Sequence, residues 1–228
     1  MSTIAANIST LEHRIGDAAQ AARRDPASIG LLAVSKTKPA ADLREAFDAG
    51  LHHFGENYLQ EALDKQQQLS DLPLCWHFIG PIQSNKTRAI AEHFDWVHSV
   101  DRLKIAQRLS EQRPTHLEPL NICIQVNVSG EASKSGCSAE DLPALAAAIA
   151  QLPHLTLRGL MAIPEPTDDV AAQRAAFAQV RTLQEQLPHA LDTLSMGMSH
   201  DLEAAIAEGA TWVRVGTALF GARNYGQS

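Results

Sequence analysis

The sequence has no C-x-x-C pair, no H-E-x-x-H motif and no apolar run long enough to cross a bilayer. Its three cysteines, Cys75, Cys123 and Cys137, are odd in number and far apart. They therefore read as reduced thiols without a shared task, not as a zinc or thioredoxin-like site. His52 and His53 are adjacent and fall on opposite faces of an extended chain, so no metal site is expected from them. An excess of basic residues is also missing. The formal net charge is -7, whereas nucleic acid and anionic membranes select basic surfaces; neither is expected as a partner, and any bound anion must be held locally. Glu12, Arg14, Asp17, Arg23 and Arg24 interrupt the first 24 residues, leaving no apolar core for a signal peptide, so a cytoplasmic location is expected. Low-complexity segments and composition shifts are lacking too, so residues 1–228 are expected to form one domain.

What is present is enough apolar material for a full core, 45% of 228 residues. An opening helix is predicted over 4–24. Short β-rich runs then alternate with helical patterns, the sign of parallel βαβ units. The predicted strands are 31–35, 53–55, 74–79, 96–100, 122–128, 155–162, 193–195 and 212–215. Between them lie amphipathic stripes such as Leu142, Leu145, Ile149 and Leu152, or Phe177, Val180, Leu183 and Leu187. Several strands are apolar throughout, as in both a doubly wound open sheet and a closed barrel. Polar residues recur just after the predicted strand ends, at Lys36, Asn57, His77, Asn127, Ser199 and Gly216-Thr217. Loops meeting at one mouth explain this, which favours a single (β/α)8 TIM barrel preceded by an extra helix.

Lys36 follows the apolar run 31–34, and alternation puts it on the side of Leu32 and Val34. If that side is the barrel interior, burial disfavours the ammonium form. Lys38, on the same side if the chain stays extended, adds like-charge repulsion, and both effects make Lys36 a better nucleophile toward an aldehyde. The alternative is a lysine that snorkels to solvent. After the seventh strand, Met196-Gly197-Met198-Ser199 places Ser199 at a predicted helix N-cap, with Asp201 and Glu203 in the first turn. After the eighth, Gly216 permits close backbone approach and Thr217 adds a hydroxyl before a short helical turn. Loops in these two positions form the recurrent phosphate site of such barrels, although each alone also reads as an ordinary turn. Arg214 shares a side with Gly216 and can point inward, to a pyridine nitrogen or to a carboxylate. His77 points inward between Trp76 and Phe78, either lining a pocket or serving as a core histidine.

Long segments of the chain resemble the YggS/PROSC family of pyridoxal phosphate-binding proteins, also called pyridoxal phosphate homeostasis proteins. The likeness rests on Ala33-Val34-Ser35-Lys36-Thr37-Lys38-Pro39, Phe54-Gly55-Glu56-Asn57-Tyr58 and the run from Trp76 through Lys86. It continues through Lys134-Ser135-Gly136, Arg158 through Pro164, Met196 through Asp201, and Val213 through Thr217. The resemblance implies a monomeric or loosely associated barrel of the alanine-racemase N-terminal kind (PLP fold type III). Lys36 would hold pyridoxal 5′-phosphate as a Schiff base. Ser199, Gly216 and Thr217 would grip the phosphate, Arg214 would face the ring nitrogen, and Asn57, His77 and Met161 would line the pocket.

Related racemases and decarboxylases carry a second, β-rich domain, whereas this chain ends 11 residues after Thr217. A second acid or base across the cofactor would then have to come from elsewhere, and an arginine at the ring nitrogen weakens the electron sink. The expectation is a binding protein that holds the cofactor for apo-enzymes without evident turnover. The competing readings are a racemase-like enzyme and a Schiff-base aldolase acting on a sugar phosphate.

Overall fold

Ser2 starts the fold by capping the first helix, α1 (Thr3–Ala21), with its side chain accepting from the Ala5 amide. Ile4, Ile8, Leu11, Ile15 and Ala19 recur at helical spacing, and all are buried. The helix ends three residues before the predicted limit, where Arg23 turns with a φ of 56°. This computed structural model describes residues 2–129 and 135–222.

Eight parallel strands follow, and they close into a barrel in sequence order. They are β1 (Gly30–Val34), β2 (His53–Glu56), β3 (Cys75–Phe78), β4 (Trp96–Val100), β5 (Leu120–Gln125), β6 (Leu155–Met161), β7 (Thr193–Ser195) and β8 (Trp212–Val215). Each predicted strand is present; β5 starts two residues early and stops three short, its last stretch turning toward an isolated bridge between Val126 and Cys137. Closure comes from β1 pairing with β8, with Gly30, Leu31, Leu32 and Ala33 opposite Trp212, Val213, Arg214 and Val215. The helices α2 (Ala40–Asp48), α3 (Leu59–Gln68), α4 (Thr87–His93), α5 (Leu103–Gln112), α6 (Leu142–Ala150), α7 (Val170–Glu185), α8 (Leu202–Ala207) and α9 (Thr217–Phe220) follow the successive strands. α1 packs on α2, α8 and α9, and so covers the outside of the β8–β1 seam.

Strand alternation divides the side chains into two sets. Ala33, Phe54, Trp76, Phe78, Val97, Ile122, Ile124, Leu160, Val213 and Val215 face the helices in one large apolar core. Gly159 is obligatory there, because a Cβ at this site would stand 1.7 Å from the Thr193 carbonyl oxygen. The inward set is unusual for such a barrel, whose interior is commonly Val, Ile and Leu. Trp96, Cys123 and Met161 form a small apolar cluster, and beside it runs a polar chain.

That chain begins at Arg214, whose Nη1 donates to Ser195 Oγ at 2.8 Å, and Ser195 Oγ lies 2.8 Å from His98 Nδ1. His98 Nε2 is 2.8 Å from His77 Nδ1, and His77 Nε2 is 3.0 Å from His53 Nδ1. Arginine can only donate, so Ser195 accepts from it, which leaves the serine hydroxyl hydrogen able to be donated to His98 Nδ1. The same polarity then runs His98 Nε2–H to His77 and His77 Nε2–H to His53. Neutral rings suffice throughout. Burial is the chief cause: it holds His77 well below its ordinary value, and it pushes His98 down to about 3, with Arg214 assisting.

Two neutral buried histidines make stability depend on acidity in a definite sense. The unfolded chain takes up a proton at each near pH 6.5, while folded His98 resists protonation until about pH 3. The contribution is therefore complete above pH 6.5 and is lost as pH falls below it. His98 should cost about 1.4 kcal/mol per pH unit through this window, and His77 acts in the same direction. Urea unfolding measured from pH 7 to 5 should show this fall, and His98→Asn should make it shallower.

Candidate functional site

Parallel strands open all their C-terminal ends on one face of the barrel, and the turn after β1 places Lys36 there. The Lys38 amide donates to the Ser35 carbonyl at 3.1 Å and Thr37 has a φ of 66°, so the chain stops being extended at once. This removes the premise that Lys38 repeats the facing of Lys36. Instead the Lys38 ammonium donates to the carbonyls of Gly221 and Ala222, at 3.2 and 3.0 Å. Lys36 itself is half-buried.

A buried ionic network holds the residues on either side of Lys36. Ser35 Oγ donates to Glu56 Oε1 at 2.7 Å, and Lys65 Nζ donates to the Ser35 carbonyl at 2.7 Å. Lys65 also pairs with Glu56 at 2.7 Å and with Glu61 at 2.9 Å. Glu61 Oε1 in turn accepts from the Thr37 amide at 2.6 Å. Burial raises the Glu56 carboxyl above its ordinary value, against the opposing effects of Lys65 and Ser35. An inflexible frame of this kind is suited to presenting one amine in one direction.

Across the β1–β8 seam, Val34, Lys36, Thr37, Gly216 and Thr217 line a crevice of about 40 Å³. A Cβ on Gly216 would meet the Val34 carbonyl oxygen at 3.3 Å, so glycine lets the last loop lie against the first strand. Thr217, exposed, opens the four-residue α9 as predicted. The loop after β7 differs from expectation. The N-cap of α8 is Asp201, not Ser199. Asp201 Oδ1 accepts from the Met198 amide at 2.7 Å and closes a turn that delays the helix past Ser199. Ser199 remains half-exposed in that turn, and its carbonyl accepts from Arg14 Nη2 at 2.9 Å. Arg14 also pairs with Glu203, and Asn7 donates to the Leu219 carbonyl at 2.9 Å. α1 thus ties down both loops.

Arg214 points inward, as alternation requires. Its acceptors are the Ser195 hydroxyl and the Ala162 carbonyl, and among the described residues it makes no ion pair. Desolvation brings the buried guanidinium down to about 10, with Asp201 opposing. It stays charged at neutral pH. Asn57 lies on the far side of the mouth, in a cavity of about 380 Å³ with Ile79, Gln125, Ser135, Ile163 and Pro164. Its Oδ1 is buried without a hydrogen-bond partner among the described residues. His77 and Met161 are fully buried inside the barrel, and neither lines the described cavities. Lys134 lies outside the described residues.

Sequence reasoning did not find Glu56, Lys65, Ser195, His98 or Arg14. The signal was faint: Glu56 shares the outward facing of Phe54 and so needs a partner, but only the folded α3 shows that Lys65 supplies it.

The geometry can be set beside known proteins. The family model of the alanine racemase N-terminal domain matches residues 6–224. A pyridoxal phosphate homeostasis protein of Pseudomonas aeruginosa is 76% identical over 99% of this chain and 98% of its own length. A protein of the same name from Escherichia coli K12 is 55% identical, covering 99% of both. PipY of Synechococcus elongatus, solved with and without PLP, superposes with a TM-score of 0.84 at 45% identity, over 96% of this chain and 100% of its own. With near-complete coverage in every case, this chain belongs to the pyridoxal phosphate homeostasis protein family, built on the alanine racemase N-terminal domain.

Proposed function

We propose that the protein binds pyridoxal 5′-phosphate at the barrel mouth, holding it through a Schiff base on Lys36. The observation that carries this reading is the juxtaposition of Lys36 with Gly216 and Thr217 across the closing seam. The Oδ1 of Asn57, buried and without a partner among the described residues, and the inward charge of Arg214 fit the same ligand, which brings polar groups to an apolar-walled mouth. When bound, the cofactor supplies an aldehyde and a ring that withdraws electron density. The relatives support the assignment by name, and the PLP-bound PipY structure supports it by fold and ligand.

In this reading the residues divide the work by position. Lys36 would hold the cofactor's aldehyde carbon through Nζ, and the Ser35–Glu56–Lys65 network keeps the backbone on either side of it in place. Ser199, Gly216 and Thr217 would hold the phosphate, their loops fixed from behind by Arg14 and Asn7. Arg214 would face the ring nitrogen and disfavour its protonation, because a fixed positive charge repels a second one. That suits retention and hand-over to apo-enzymes better than carbanion chemistry, and a cytoplasmic monomer acting without turnover is the corresponding role. Asn57 would line the pocket from the wall of the cavity of about 380 Å³. His77 and Met161 support the site from the layer beneath it.

Purified protein incubated with the cofactor should develop a visible band, and borohydride reduction should fix the added mass on the peptide carrying Lys36. Lys36→Ala should abolish both. Modification confined to Lys38 or Lys134, or steady turnover of D- or L-alanine by loaded protein, would overturn the reading; so would borohydride trapping of a sugar phosphate on Lys36 without any such band.

Two substitutions probe the frame. Lys65→Met strands Glu56 in the interior and should cost about 3–5 kcal/mol in urea unfolding, with a smaller loss when Glu56→Gln is added. Arg14→Ala, which removes a half-exposed pair worth about 0–1 kcal/mol, should leave the melting temperature nearly unchanged yet weaken cofactor binding several-fold.

A further inference from the structure

The opposite end of the barrel carries a second cluster, which shares only the buried His77 with the layer beneath the mouth. His53 and Cys75 are register partners on β2 and β3, and His77 is two residues beyond Cys75 on the same inward face. Their donor atoms converge. His53 Nδ1 is 3.0 Å from His77 Nε2, Cys75 Sγ is 3.6 Å from the same nitrogen, and all three atoms lie within 4.8 Å of one another. A tetrahedral zinc ion with ordinary bond lengths sets its ligands about 3.3 Å apart for N and N, and about 3.6 Å for N and S. From these distances we infer that His53, Cys75 and His77 form a binding site for a zinc-class cation, distinct from the mouth.

This departs from the expectation drawn along the chain, where neither the cysteine spacing nor the His52-His53 pair suggested a site. The missing donor comes from the neighbouring strand. His77 is fully buried, while Cys75 and His53 are half-buried. His53, with Gly30, Leu31, His52 and Trp212, also lines an open cleft of about 470 Å³ that gives an ion a way in and leaves room for a water as fourth ligand. One thiolate with two imidazoles suits a borderline-soft ion and disfavours magnesium or calcium.

The outer contacts suit the site. With Nε2 on the ion, His77 carries its proton on Nδ1 and donates it to His98, as a metal-bound histidine commonly does to a neighbour. His98 then donates from Nδ1 to Ser195, whose oxygen also accepts from Arg214. Ion binding therefore reverses the polarity of the chain without changing the number of protons on the rings. The Cys75 thiol loses one proton as the metal–sulfur bond forms, and the exposed carboxylate of Asp95 beside it offers a path to solvent. The balance is one cation in and one proton out.

Cobalt(II) is a suitable probe. Full-length protein, reduced and freed of metal with a chelator, should bind one equivalent, giving the intense visible absorption of a tetrahedral ion with a thiolate ligand. About one proton should be released per ion, and zinc should displace the probe. Cys75→Ser and His53→Gln should each weaken binding at least about tenfold, while Cys137→Ser should leave it unchanged. Because substitutions inside a barrel can impair folding, alkylation of the unaltered chain gives a second measurement: zinc should protect Cys75, identified by mass spectrometry. A weak octahedral cobalt spectrum, wild-type affinity in the two variants, or alkylation of Cys75 indifferent to zinc would each overturn the site.

Discussion

Pairing of β1 with β8 is the constraint on which the rest of this structure depends. The two strands are 182 residues apart at their first paired positions, Gly30 and Trp212, and nothing but closure of the sheet makes them neighbours. Closure sets Lys36 against Gly216 and Thr217, turns Arg214 inward and leaves the loops after β7 and β8 within reach of α1. Loop-closure entropy must be met before such a contact contributes anything. The apolar layer between strands and helices supplies most of that free energy, and α1 adds its own buried face to the layer at the seam.

Two polar systems are placed inside this apolar frame, and each has a different consequence. The Glu56–Lys65 pair sits outside the strands, under α3, where desolvation of both charges offsets much of their attraction. Its effect is one of position: three of its hydrogen bonds end on Ser35 and Thr37, the neighbours of Lys36. The histidine chain lies inside the strands and links opposite ends of the barrel. Arg214, at the mouth, is held by the same serine that orients His98, and His53, at the other end, opens on a cleft. Because each ring nitrogen in the line donates or accepts according to its neighbour, the tautomers of the three histidines are coupled.

Much of the architecture could be read directly from the chain. Eight β-rich runs alternating with amphipathic helices account for the barrel, and strand alternation correctly turned His77 and Arg214 inward and Trp76 and Phe78 outward. Lys36, Gly216 and Thr217 were identifiable because a lysine at a strand end and a Gly-Thr before a helical turn are local patterns. Where the reading failed, the cause was a local bond that competes with an ideal element. Asp201 folded back on Met198 and displaced the helix cap from Ser199; a left-handed Thr37 ended the extension that would have aligned Lys38 with Lys36.

Sequence alone determined which residues are apolar and with what period, and hence the number, kind and facing of the elements, since these follow from short-range geometry. It could not determine partners distant in the chain. That Lys65 meets Glu56, that three histidines and a serine join Arg214 in one line, and that Cys75 and His77 share a donor set with His53 are facts of register between strands and of closure. Register is settled by packing the whole core at once, and only the tertiary structure records the result.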